Sequence, residues 1–242
     1  MMSMRSLYRT PEGIAARQGL SVALATSAYG ISFGALSVAS GLDLWQTCVL
    51  SLLMFTGGSQ FAFVGVIAAG GLAAAPAAIA SATLLGVRNA AYAMRMAPVV
   101  AGGFLRRAGA AHFTIDESTA VALAQTQPRA RQTGFWVTGV AIWVGWNLST
   151  LAGALLGDVL GDPRTYGLDA AAAAAFLALL WPRLRGRQPL AVAVGAAVVA
   201  ALLTPALMPG IPVIAAAGVA IAVGWFAPRP QQTTPSTTES AS

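Results

Sequence analysis

The chain has 242 residues, of which 57% are hydrophobic and only 9% charged, where a soluble domain carries about 25% charged residues. Its fourteen basic residues, all arginine, outnumber eight acids to give a net charge of +6. With no nucleic-acid-binding pattern beside them, they read as loop arginines of a polytopic membrane protein and exclude a nucleic-acid surface. One cysteine, Cys48, rules out an internal disulfide, and no Cys/His cluster has metal-ligand spacing, so neither a metal nor another cofactor is expected.

Residues 1–17 carry Arg5, Arg9 and Arg17 with no clear cleavage site behind them. They are expected as a cytoplasmic segment ahead of an uncleaved first helix. Apolar runs long enough to consider as membrane segments follow at about 18–40, 44–70, 74–101, 133–157, 167–182, 188–208 and 210–227. The expected fold class is all-α: a polytopic transmembrane bundle of about seven hydrophobic segments with broken helices, spanning 18–227. The linker 102–132 holds Arg106, Arg107, Arg129 and Arg131 and a short amphipathic helix from near Thr114, and the polar tail 228–242 is expected to be disordered.

Loop arginines orient such a bundle. Seven crossings from a cytoplasmic N-terminus put most of them outside. If one segment before residue 102 enters and returns on the same side, turning at "TGGSQ", every loop arginine except Arg164 falls in the cytoplasm. A seven-crossing chain with an outside N-terminus, or a broken helix that still crosses, is the alternative. "FGALSVASGLD" (33–43) also resembles "AGALLGDVLGD" (152–162) followed by "YGLDA" (166–170), a short likeness that suggests an inverted three-helix repeat.

Several residues are poor material for apolar depth. "YGISFG" in the first segment offers Gly30, Ser32 and Gly34, and "FTGGSQF" in the second offers Gly57, Gly58, Ser59, Gln60 and Phe61. Irregular backbone is tolerated in a bilayer only where it lines protein or a watery cavity. A half-helix starting at "TGGSQ" would aim free N–H groups at a carboxylate, whereas the plainer reading is close helix packing through the glycines. In the third segment Arg88, Tyr92 and Arg95 share one helix face beside Asn89. Arg88 is the deeper arginine and needs a partner: a substrate carboxylate, helix-end carbonyls, or Asp116 or Glu117 folded back. Arg95 lies near enough to the helix end to snorkel. In the fourth segment Trp136, Trp143, Asn147 and Thr150 share a face that either lines a cavity or packs on a neighbour. The lone His112 has no accompanying hydrolase motif.

"GISFG", "FTGGSQF", "VRNAAYAMRMAP" and "TIDES", with the tryptophan spacing of the fourth segment, resemble the AzlC-type permeases, the large subunit of branched-chain amino acid exporters. The likeness runs from about Gly30 to Trp181. It implies export of branched-chain amino acids or their analogues across the bacterial inner membrane, driven by a proton or potential gradient, with a small AzlD-type partner subunit. Residue reading and resemblance together give as candidates Gly30, Ser32, Gly34, Gly57, Gly58, Ser59, Gln60, Phe61, Arg88, Asn89, Tyr92, Trp143 and Asn147 for substrate, and Asp116, Glu117 and Arg88 for coupling or gating. The family often has Asn-Leu-Arg-His where this chain has Gly86-Val87-Arg88-Asn89, which leaves proton coupling and specificity open. Inward transport, another small organic solute and a non-transporting scaffold are the competing functions.

Overall fold

A computed structural model describes residues 10–160 and 184–226 together with Leu177, Leu180 and Trp181. The expected segment at 167–182 falls largely, and the tail wholly, outside these residues; of the second copy of the internal likeness, 152–160 lie within α8 and 161–162 and 166–170 lie outside. Among the described residues every regular element is helical: α1 Pro11–Ala28, α2 Gly30–Ala39, α3 Leu44–Leu53, α4 Gly57–Gly70, a 3-10 turn Leu72–Ala74, α5 Ala75–Val100, α6 Phe104–His112, α7 Asp116–Leu123, α8 Pro128–Leu160, α9 Arg187–Leu203 and α10 Ile211–Phe226. Among the described residues two runs are long and apolar enough to cross a bilayer, Pro11–Ala39 and Pro128–Gly157. Helix α5 has comparable length but is interrupted in character by Arg88, Asn89 and Arg95.

The first helix begins at Pro11, ahead of the expected start at 18, because Thr10 Oγ1 accepts from Gly13 N–H and Pro11 occupies the first helical position. Arg17 is therefore helical. The run α1–α2 lies parallel to α8: Gly19 abuts Thr138, Gly30 abuts Trp146 and Ser149, Gly34 abuts the Thr150 carbonyl, and Gly153 and Gly157 abut Ile31 and Ala35. Backbone meets backbone along this seam, an approach that side chains at the glycines would prevent. Gly30 and Gly34 thus follow the packing alternative.

Segment 44–70 reverses. Helix α3 descends beside α2 and α8, with Thr47 and Ser37 hydroxyls 2.8 Å apart and Ser51 Oγ donating to Thr150 Oγ1 at 3.3 Å. The chain breaks at Met54–Thr56, and α4 climbs back until Val66 and Ile67 pack with Leu42 and Ala78, alongside Leu50 of α3. The result is a helical hairpin whose tip reaches the middle of the bundle. Helix α5 then runs the full depth, from Ala78 in that cluster to Met96, Val99 and Val100, which pack with Ala110, Ala122 and Phe135 at the opposite end.

The 102–132 linker corrects the sequence expectation: it holds two helices where one was foreseen. Helix α6 climbs to Phe113, which abuts Gly139, and α7 returns so that Val121 abuts Gly134 near Ala15. Thr114 Oγ1 donates to Ala110 O, while Ser118 Oγ accepts from Ile115 N–H and donates to Phe113 O. These bonds satisfy the backbone at the tight turn. The two hairpins enter from opposite ends, and their tips meet in a core of Phe33, Phe55, Phe61, Ile115, Ile142 and Trp146. Helices α9 and α10 pair at the periphery, with Gly210 of their turn against Val66 and Ala77.

Replacing Gly34 or Gly153 by valine forces a side chain into a facing backbone and is expected to destabilise by about 1–3 kcal/mol or more. Thermal unfolding in detergent should show a fall of about 5 °C or more. Gly109→Ala, where nothing lies within 4 Å, should leave the midpoint unchanged.

Candidate functional site

The break in "FTGGSQF" is held open by its glutamine. Gln60 is fully buried, and its Nε2 donates to Met54 O at 2.7 Å and Ser51 O at 3.3 Å, so it supplies partners to carbonyls stranded at the end of α3. Helix α4 then starts at Gly57 with no side-chain cap. A Cβ on Gly57 would lie 3.3 Å from the Trp146 ring, and one on Gly58 would lie 2.9 Å from Arg88 Nη2. Glycine at both positions allows a close approach, of Trp146 to Gly57 and of the mobile Arg88 guanidinium to Gly58, so the free N-terminus of α4 lies beside that guanidinium. Ser59 is buried and turns toward Gly86 of α5.

Arg88, midway along α5, pairs with Asp116 across 3.1 Å from Nη2 to Oδ2. Of the partners considered from sequence, the structure selects Asp116 folded back, and the α6–α7 hairpin is what carries it there. Asp116 and Glu117 occupy the first turn of α7, where the helix dipole favours negative charge. Asp116 Oδ1 and Arg88 Nε have no hydrogen-bond partner. The pair is thus incompletely satisfied.

Around it lies a cavity of about 30 Å³. Its walls are Thr26 and Tyr29 at the α1–α2 junction, Phe55 to Gly58 at one hairpin tip, Ile115 to Glu117 at the other, Arg88 from α5, and Ile142 and Trp146 from α8. Tyr29 meets Trp146 edge-on at 5.0 Å, and Phe61 stands behind them, 5.6 Å from Phe33 and 6.2 Å from Trp146. Two helix N-termini, a cation, two carboxylates and an aromatic wall converge on one point.

Not every expected residue reaches it. Gly57, Gly58, Arg88, Asp116 and Glu117 line the cavity; Ser32, Ser59, Gln60, Phe61, Asn89 and Tyr92 do not. Trp143 packs on Phe113 and His112 of the second hairpin, and Asn147 Nδ2 donates within its own helix to Trp143 O at 2.7 Å. Trp146, Ile142, Tyr29 and Thr26 were missed. The four-residue step from Ile142 to Trp146 was the available signal, hidden by the longer polar and aromatic stripe through Trp143 and Asn147.

Interrupted helices closing on a partly buried ion pair inside an apolar helical shell define a membrane protein organised around a central polar site. A family model described as AzlC protein matches residues 21–160, from α1 through α8, and the chain belongs to that family. Its class is accordingly that of membrane transporter subunits for amino acids. No curated protein and no solved structure matches the chain.

Because Gln60 satisfies buried carbonyls, Gln60→Leu should cost about 1–3 kcal/mol. Reduced thermal stability in detergent, with substrate affinity unchanged in the protein that remains folded, is the expected outcome. A selective loss of affinity at unchanged stability would instead make the amide a ligand for substrate.

Proposed function

We propose that this chain is the large subunit of an exporter for branched-chain or other small apolar amino acids, and that the substrate binds between the two hairpin tips. The observation that carries the reading is the Arg88–Asp116 pair at the meeting point of two helix N-termini. A zwitterion presents the same two charges. Its carboxylate fits beside Arg88 and the free N–H groups of α4, its ammonium beside Asp116 and Glu117, and its aliphatic side chain against Ile142, Trp146 and Phe55.

A cavity of about 30 Å³ is far below the roughly 300–1,000 Å³ of ligand pockets. Substrate admission therefore requires the tips to separate, and the substrate's own charges replace those the ion pair gives up. Glu117, beside Asp116 in the same turn, is the proposed proton carrier for coupling. Transport by alternate parting of two hairpins is consistent with binding at the midplane of a multi-pass protein.

Arg17, Arg106, Arg107, Arg129 and Arg131 belong to the α1, α6 and α8 starts, whereas the turns at 40–43 and 71–74 contain no arginine. The arginine-bearing end is therefore proposed as cytoplasmic in a bacterial inner membrane. The family resemblance supports a small AzlD-type membrane partner and a proton or potential gradient as the drive.

The test is efflux of leucine, isoleucine and valine from cells preloaded with dipeptide, with and without the small partner. Efflux should require both chains. Arg88→Ala and Asp116→Asn should each lower it by about tenfold or more, below the full scale of breaking a wholly buried pair because this one is partly exposed, at unchanged abundance in the membrane. Absence of efflux with both chains present would rule out this substrate class.

A further inference from the structure

A second void, of about 600 Å³, lies between α1 and α7, with Arg17, Gln18 and Ser21 on one wall and Ala120, Val121 and Ala124 on the other. It uses the same helix stripes as the central cavity. On α1 the stripe runs Gln18, Val22, Thr26, Tyr29, and on α7 it runs Ala124, Val121, Ala120, Glu117; each begins in the outer void and ends in the inner one. One helical turn, about 5.4 Å, separates the two spaces on either wall.

The outer void has a mixed lining, with Ile14, Val22 and the α7 residues apolar and a polar stripe on α1 facing them. Arg17, Gln18 and Ser21 are polar and exposed, whereas another face of α1 presents Leu20 and Leu24, 55% and 78% exposed. The alanines of α7 leave the space wide, and Gln125 Nε2 donates to Gln18 Oε1 at 2.8 Å, tying α7's outer end to α1. Positive charge on Arg17 would concentrate carboxylates there, and Glu117 stands at the inner end.

We propose that this void is an aqueous vestibule leading from the arginine-bearing end to the central cavity, closed by a one-turn septum of Val22, Thr26, Glu117 and Val121. The proposal rests on the reading of the central cavity as the amino-acid site. In this arrangement Glu117 belongs to both the septum and the site, so parting α7 from α1 opens the passage and exposes the carboxylate together.

The test uses the full chain with its partner in membrane vesicles, in a Cys48→Ala background, with a membrane-impermeant cationic thiol reagent applied from either face. Ser21→Cys, Ala120→Cys and Ala124→Cys should react from the face that exposes Arg106→Cys, and several-fold faster than Leu24→Cys. Thr56→Cys in the inner cavity should react slowly from that face, and adding Val22→Ala, which thins the septum, should speed it several-fold. Reaction of the three vestibule positions no faster than Leu24→Cys would overturn the vestibule, and an unchanged Thr56→Cys rate would overturn the septum. Labelling needs no substrate. Labelling as expected without amino-acid efflux would support the vestibule and reject the substrate assignment alone.

Discussion

A guanidinium halfway along α5 dictates much of the architecture. Placing arginine at the centre of a membrane helix costs about 2.5–3.5 kcal/mol even on insertion scales, and Arg88 adds to that by lying against Gly58 at the positive end of α4. A carboxylate must come to the same depth. Asp116 arrives only because residues 104–123 fold into a hairpin that climbs to mid-bundle and turns at Phe113–Ile115. The charge on one helix thereby determines where a distant segment has to end.

Each hairpin answers its own backbone demand. Gln60 serves the carbonyls at the end of α3, and Thr114 and Ser118 serve the turn between α6 and α7. What joins the two tips is the ion pair through Arg88 and ring contacts such as Phe55 with His112 and Phe113 at 5.7 and 6.3 Å. Separating the tips leaves the local backbone bonds intact. The α1–α2 run and α8 differ in this respect, because their glycine seam presses backbone on backbone over most of its length. A close-packed frame beside two self-contained hairpins is a division of labour that follows from which groups satisfy which.

The helical class, the third and fourth apolar segments and the reversal at "TGGSQ" were legible because each left a compositional mark: long apolar runs, a mid-helix arginine, paired glycines with amide and hydroxyl beside them. The second hairpin was less so. "FLRRAGAAH" is too short and too basic to signal burial, and only the need of Arg88 for an acid hinted that Asp116 folds inward. At the site, Gly57 and Gly58 were legible, but Gln60 is identical in composition whether it binds a ligand or a carbonyl. Trp146 was masked because one helix carries aromatic stripes on two faces, and periodicity does not say which face meets the cavity.

The ion pair also constrains how the hairpins relate during a transport cycle of the proposed kind. Arg88 touches the first hairpin at Gly58 and the second at Asp116. Withdrawal of either tip therefore changes the electrostatic environment of the other: losing Asp116 leaves a cation against the α4 N-terminus, and losing the α4 contact relieves Arg88 of that positive helix end. Under the proposed function, the carboxylate of a zwitterion would pair with Arg88 and its ammonium with Asp116 as the two part, whereas a lone cation or anion would pair with only one of them. On that proposal, selectivity for molecules carrying both charges would rest on the same ion pair that joins the hairpins, without a separate recognition element.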